Sequence, residues 1–184
     1  AAATHATSTT TQHQQHPGIV NQGNTCYINA LLQSLAHLPG FPNAVAQIDT
    51  TPSANNKAHT PGTSVPLEMQ RVLYQMANAH SLQLSSVRTE MLTKSFGWDW
   101  ADANEQQDLH EFWQALYRAL TLAEDGDDAS SDGPSARRGL VRRLFEGRML
   151  NHVRCTRVPF SSQKTQRFCD LQLPVSGCRS LHDS

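Results

Sequence analysis

A chain of 184 residues is long enough for one ordinary domain with a sizeable core. Its formal net charge of -1, without a long basic block, argues against nucleic acid or an anionic membrane as the main partner. With 38% hydrophobic residues, no apolar run approaches the roughly 18 residues of a membrane span, and no basic-then-apolar leader opens the sequence at Ala1.

Several segments are low in complexity, so a folded core interrupted by long disordered loops is expected. Residues 1–16 are mostly Ala, Thr, Gln and His without periodicity and predict a disordered tail, with His5, His13 and His16 solvated. Order is expected from Pro17 to Val20. The segment GIVNQGNTCYINALLQSLAHLPG then reads as a loop feeding a helix. Ile28, Leu31, Leu32, Leu35 and Leu38 share one face, and Pro39-Gly40 stops the run. Residues 50–64, rich in Pro, Thr, Ser and Asn, predict a mobile loop. A second helix is expected from about Pro66 to His80, burying Met69, Val72, Leu73 and Met76. A short one near Thr89–Phe96 leads into the aromatic turn SFGWDW.

The strongest helical pattern runs from about Glu105 to Leu122, with Leu109, Phe112, Trp113, Leu116 and Leu120 as its apolar stripe. Asp102 or Asn104 can cap its start, and Glu105 or Gln107 can complete a capping box. An acidic, Gly/Ser-rich linker is expected over residues 124–137. Beyond it, Leu144-Phe145-Glu146-Gly147 opens a stretch where Met149, Asn151, Val153 and Cys155 alternate with mostly polar neighbours. A further stretch, Arg167 to Val175, sets Cys169, Leu171, Leu173 and Val175 on one face. Both predict half-buried antiparallel strands. Helices first and strands second make the expected class α+β.

The four cysteines, Cys26, Cys155, Cys169 and Cys178, are scattered. That pattern suits reduced thiols in the cytoplasm or nucleus; a Cys169–Cys178 bridge is sterically conceivable but disfavoured by the same compartment. Cys26 differs from the others in setting. It sits where the polar loop Asn21-Gln22-Gly23-Asn24-Thr25 meets a helix start. The helix N-terminus favours a thiolate, and its N–H groups, helped by an Asn side chain, can receive an oxyanion. A lone Cys at a helix start is more often a small half-buried residue, so the surrounding string decides.

That string, GIVNQGNTCYINALLQSL, resembles the cysteine box of the ubiquitin-specific proteases, with Ile19 and Ala30 as mild departures. The resemblance implies a papain-like cysteine protease in which Cys26 is the nucleophile and Asn21 the oxyanion-hole side chain. Asn24 and Thr25 would shape the loop, and Gly23 would permit its backbone geometry. A second segment, ANEQQDLHEFWQALYRAL, resembles the family's Gln-box through Gln106, Asp108, Glu111 and Phe112. By that resemblance, Gln106, Asp108 and Glu111 belong to the channel for the extended C-terminal tail of ubiquitin. Asp108 would pair with Arg residues of the tail and Gln106 would bond its backbone. Read on their own, these residues are equally a capped helix terminus.

A third segment, LFEGRMLNHVRC…RFCDLQLPV, resembles the passage from the family's helical thumb into its β fingers. Together with SFGWDW it is closest to the subgroup of the herpesvirus-associated ubiquitin-specific protease. The likeness spans roughly residues 17–178 and divides the chain into a tail (1–16), a thumb-like helical part bearing the nucleophile (17–143) and the start of the fingers (144–184). The implied partners are ubiquitin and ubiquitinated proteins, and the implied reaction is isopeptide hydrolysis.

Two departures qualify this expectation. Many members hold zinc with two Cys-x-x-Cys pairs, but Cys155 is followed by Thr156, Arg157 and Val158. A tetrahedral site needs four ligands, so neither zinc nor any other cofactor is expected. The family's Gly-His-Tyr block, which brings the catalytic base, has no counterpart. Neither His37, His59, His80, His110, His152 nor His182 is assigned that role, and His110 is expected to be solvated. The chain therefore reads as part of an active enzyme whose base lies elsewhere. The alternatives are a ubiquitin-binding relative without catalysis and a scaffold without ubiquitin contact.

Overall fold

The computed structural model describes residues 16–51, 62–97, 108–125 and 139–183, and these form a mixed α+β structure. In chain order the elements are β1 (Gly18–Ile19), α1 (Cys26–Ala36), α2 (Phe41–Ala46), α3 (Val65–Ala77), β2 (Ser86–Val87), α4 (Glu90–Ser95), α5 (Leu109–Asp125), α6 (Leu140–Phe145), β3 (Gly147–Arg154), β4 (Ser161–Phe168) and a 3-10 turn (Leu181–Asp183). Residues 1–15 of the expected tail, most of the loop at 50–64, the residues Trp98 and Trp100, the cap candidates Asp102 and Asn104, and the linker beyond Asp125 lie outside the described residues; His16, expected to be solvated, is bonded to His37.

The helical part is held by one apolar cluster. From α1 come Ile28, Leu32 and Leu35; from α3, Met69, Val72, Leu73 and Met76; from α5, Phe112, Leu116 and Leu120. These are the predicted faces, with two trims: Leu38 and Leu109, expected inside, stand at the surface. Each lies beyond the last or first turn that the cluster covers. α3 packs against α2, α4 and α5, so it is the centre of the bundle. Its start is capped weakly by Ser64, whose hydroxyl accepts from the Leu67 N–H at 3.5 Å. The buried Glu68 carboxylate binds Arg71 and the Gly62 N–H, both at 2.9 Å, which closes the preceding turn.

Two short helices escape the periodic reading. α2 begins with Phe41-Pro42, where proline sits in the first turn and costs no intrahelical bond. α6 occupies Leu140–Phe145, overlapping residues expected to open a strand, and its Val141 is fully buried. Phe145 fixes α6 by edge-on ring contacts with Trp113 of α5 and Phe41 of α2, centroids 4.7 and 5.7 Å apart. α5 in turn runs to Asp125 rather than Leu122, and the Glu124 carboxylate accepts from the Val141 N–H at 2.8 Å. The acidic start of the expected linker is thus helix that caps the next helix.

The strands differ more from expectation. β3 pairs antiparallel with β4 from Gly147↔Phe168 to Arg154↔Ser161. The partner strand is the polar run Ser161–Phe168, not Arg167 to Val175, and both strands are exposed along most of their length rather than half-buried. Apolar alternation carried the expectation, but a ribbon wetted on both faces carries no such signal. A second pairing, β1 parallel to β2 (Gly18↔Ser86, Ile19↔Val87), ties the entry of the chain to the segment before α4.

Candidate active site around Cys26

Pairing of β1 with β2 delivers the chain to a loop that is bonded almost entirely by side-chain amides. The Gln33 amide donates to the Pro17 carbonyl at 2.8 Å, and the Asn29 amide to the carbonyls of Ile19 and Val20 at 3.4 and 3.3 Å. Val20 donates to the Val87 carbonyl at 2.9 Å. The loop is therefore fixed from α1 on one side and β2 on the other.

Residues 21–25 then close on themselves. Asn21 Oδ1 accepts from the Thr25 N–H at 3.2 Å and from the Thr25 hydroxyl at 3.0 Å. A backbone N–H can only donate, so the atom facing it is the amide oxygen, and the NH₂ of Asn21 is the group turned outward. Thr25 Oγ1 also accepts from the Gln22 N–H at 3.0 Å. Gly23 has a φ of +124°, a left-handed value that explains glycine at this point. Asn24 is exposed.

Thr25 is the N-cap of α1, yet its hydroxyl makes no cap bond; it is committed to the loop. The first intrahelical bond is from the Asn29 N–H to the Thr25 carbonyl, 2.9 Å. Cys26, the first helical residue, precedes that bond and is exposed, and the first turn carries no acidic side chain. An exposed thiol thus stands at the positive end of a helix that nothing of its own neutralises. This geometry can stabilise negative charge on an oxygen beside the helix start.

Sequence reasoning gave Gln22 no role. Its side-chain Nε2 lies 2.7 Å from Thr89 Oγ1, and its Oε1 accepts from Thr93 Oγ1 at 3.3 Å. Both threonines are buried, Thr89 as the N-cap of α4 and Thr93 within the helix. The available signal was their four-residue spacing on one helical face.

The second motif lies at the start of α5. Asp108 caps this helix: its Oδ1 accepts from the His110 N–H at 2.8 Å and its carbonyl from the Phe112 N–H at 3.1 Å. Asp108 and Glu111 are both exposed, whereas Gln106 lies outside the described residues. Asp108 also borders an open groove of about 520 Å³ whose walls are Leu31 and Leu35 of α1 and Leu109 and Trp113 of α5. His110, expected to be solvated, is instead half-covered. Its Nδ1 is 3.5 Å from Asp170 Oδ2, and its Nε2 lies 2.8 Å from the Gln114 amide nitrogen. The chain after β4 folds back to supply that carboxylate, which helix periodicity alone does not reveal.

Among the described residues, no histidine is hydrogen-bonded to Cys26. His37 is bonded through Nδ1 to the Gln33 carbonyl (2.7 Å) and through Nε2 to His16 (3.1 Å). His152 lies on β3 and His182 in the 3-10 turn. The other thiols diverge in character. Backbone N–H groups of Arg157 and Val158 lower the pKa of Cys155, while burial, aided by Asp170, raises that of Cys169. Cys178 is half-buried against the Asp183 carbonyl, 3.4 Å away.

Comparison with known proteins places these motifs in context. Residues 17–168 match the family described as ubiquitin carboxyl-terminal hydrolase. The chain is 38% identical over 167 residues to ubiquitin C-terminal hydrolase 12 of Arabidopsis thaliana, covering 91% of this chain and 13% of that protein. It is 35% identical over 164 residues to ubiquitin carboxyl-terminal hydrolase 7 of Caenorhabditis elegans, covering 89% and 13%. It is 34% identical over 169 residues to ubiquitin carboxyl-terminal hydrolase 15 of Saccharomyces cerevisiae, covering 91% and 12%. The chain thus spans about an eighth of the length of these relatives.

Proposed function

Because this chain belongs to the ubiquitin carboxyl-terminal hydrolase family, we propose that the protein carrying it is a cysteine-type deubiquitinase that cleaves the isopeptide bond after the C-terminal Gly of ubiquitin. One observation supports the assignment most directly: Cys26 is exposed at the start of α1, five residues after an Asn21 whose amide oxygen is held by Thr25.

In this reading the Cys26 thiolate attacks the Gly carbonyl. The developing oxyanion is received by the outward NH₂ of Asn21 and by the N–H of Cys26 itself. Collapse expels the substrate Lys amine, which takes a proton from a histidine outside the described residues, and water then releases the thioester. Asp108 and Glu111 offer negative charge to an Arg-bearing extended tail, and Gln106 is assigned to the backbone of that tail. Residues 17–143 act as the helical thumb and 144–184 as the start of the β fingers around ubiquitin. SFGWDW and LFEGRM support assigning the chain to the herpesvirus-associated subgroup. Ubiquitin and its conjugates are the partners, in cytoplasm or nucleus, with no metal required.

Cys26→Ala in the complete protein abolishes cleavage of a ubiquitin reporter while leaving ubiquitin binding measurable by calorimetry. Retained turnover rejects the assignment. A second reading, ubiquitin binding without catalysis, draws on the absence of a histidine partner for Cys26 among the described residues. A ubiquitin-tailed electrophile separates the two: rapid, stoichiometric labelling of Cys26 supports the enzyme, and binding without labelling supports the module.

A further inference from the structure

α1 and α4 share an oddity. The N-cap of each is a threonine, Thr25 and Thr89, and neither hydroxyl caps its own helix. An N-cap side chain stabilises the helix it opens, so two helices forgo the same stabilisation. Both hydroxyls are turned toward Gln22. Its backbone N–H donates to Thr25 Oγ1 at 3.0 Å, and its side chain reaches Thr89 Oγ1 at 2.7 Å and Thr93 Oγ1 at 3.3 Å.

We infer that Gln22 is a positioning residue for the oxyanion site, anchoring the Asn21–Thr25 turn to the buried face of α4 so that the amide of Asn21 keeps its orientation beside Cys26. The inference rests on the roles proposed above for Cys26 and Asn21. Gln22 touches no reacting atom. It acts through Thr25, whose N–H and hydroxyl both hold Asn21 Oδ1. The anchor is firm because Thr89 is 1% and Thr93 5% exposed, and the intervening Leu92 belongs to the core. It is also insensitive to which way the Gln22 amide is turned. A hydroxyl can donate or accept, so either orientation gives one bond to each threonine. Thr93 divides its single proton between Gln22 Oε1 and the carbonyls of Glu90 (3.0 Å) and Thr89 (3.4 Å). The bond to Thr89 is therefore the principal one.

The test uses the complete protein and two readouts. Gln22→Leu keeps the shape and removes both side-chain bonds. Per active site titrated with a ubiquitin-tailed electrophile, its kcat falls about tenfold, the scale of one lost neutral hydrogen bond, while KM is unchanged. Gln22→Glu, whose carboxylate accepts from both hydroxyls, restores kcat to within about twofold. In an Asn21→Ala background, Gln22→Leu causes no additional loss, because a residue acting only through Asn21 has nothing left to position. Losses that multiply, or a kcat that does not change, overturn the inference.

The second readout needs no turnover. In Cys26→Ala protein, Gln22→Leu speeds hydrogen exchange at the Thr25 amide, which is otherwise bonded to Asn21. Unchanged exchange also overturns the inference, whatever the kinetics show. Faster exchange in a protein whose turnover survives Cys26→Ala supports the anchoring and sinks the nucleophile assignment instead, so the two failures are told apart.

Discussion

Asn21 and Thr25 form a closed pair in which one amide oxygen receives both the backbone N–H and the hydroxyl of the same residue, at 3.2 and 3.0 Å. The pair separates two jobs that an asparagine at this position can perform. Its oxygen shapes the turn, and its NH₂ is left for the second job, the oxyanion donor of the proposed function.

Substitution by aspartate distinguishes those jobs. Asn21→Asp keeps an oxygen for both Thr25 donors but replaces the outward donor with negative charge. If the NH₂ receives the oxyanion, Asn21→Ala loses roughly 10²–10³ in kcat, and Asn21→Asp loses at least as much. If Asn21 only shapes the turn, Asn21→Asp retains near-normal turnover. Single-turnover kinetics with a ubiquitin reporter decides between them.

Asp108 caps α5 and, in the proposed function, also pairs with a basic tail. As a cap, it is equivalent to asparagine, so Asp108→Asn leaves the unfolding midpoint nearly unchanged, whereas Asp108→Ala destabilises α5 by about 1 kcal/mol. As a partner for a basic peptide, only its charge matters. Both variants should therefore raise KM for ubiquitin substrates to a similar degree. A KM defect confined to Asp108→Ala would show that the cap, and not the charge, sets substrate affinity.

The remaining thiols predict a pH-resolved labelling pattern. Backbone N–H groups of Arg157 and Val158 hold the Cys155 thiolate, so its alkylation persists as pH falls below the usual thiol range. Burial and Asp170 keep Cys169 protonated, so its alkylation begins only at higher pH. The linkage has opposite signs. The Cys169 contribution to stability is present below the unfolded thiol pKa and lost as pH rises through its raised folded value. The Cys155 contribution is present above the unfolded value and lost as pH falls through its lowered one. Mass spectrometry of alkylated peptides across pH tests the order; equal profiles would contradict it.

At the root of the ribbon, the ring of Phe168 lies over Gly147 where a Cβ would stand, and the two residues are cross-strand partners. Gly147→Ala forces the ring aside at a cost of about 1 kcal/mol. The signature is faster amide exchange in β3 and β4 without a change in α3. Removing the obstacle checks the cause: in a Phe168→Ala background the alanine at 147 should cost almost nothing.

What the sequence disclosed followed the periodic signals. The buried faces of α3 and α5 were readable because a helix on a core must repeat its apolar residues every three or four positions. The loop before Cys26 was readable only as a string; its bonds to Thr89 and Thr93 span 67 and 71 residues. Helix α6 escaped because six residues with one fully buried side chain set up no period. The partner of β3 was misplaced because Cys169, Leu171, Leu173 and Val175 alternate, while the residues that pair, Ser161–Phe168, are chosen by the turn at 155–160 and the fit of Phe168 on Gly147. Likewise, the contact of His110 with Asp170 depends on where the chain travels after β4, which no local pattern encodes.

The Glu146 side chain, 4% exposed, lies between Arg142 at 3.5 Å and Arg167 at 3.4 Å, where α6 passes into β3. The ribbon is thus clamped at its base and projects eight paired residues from it, a lever of roughly 26 Å at the usual rise per strand residue. A body gripping the far end would apply torque at that clamp, and the contact of Phe145 with Trp113 would carry the load directly into α5. Deflection of the ribbon would then be felt as tilt of α5, the helix that Asp108 caps.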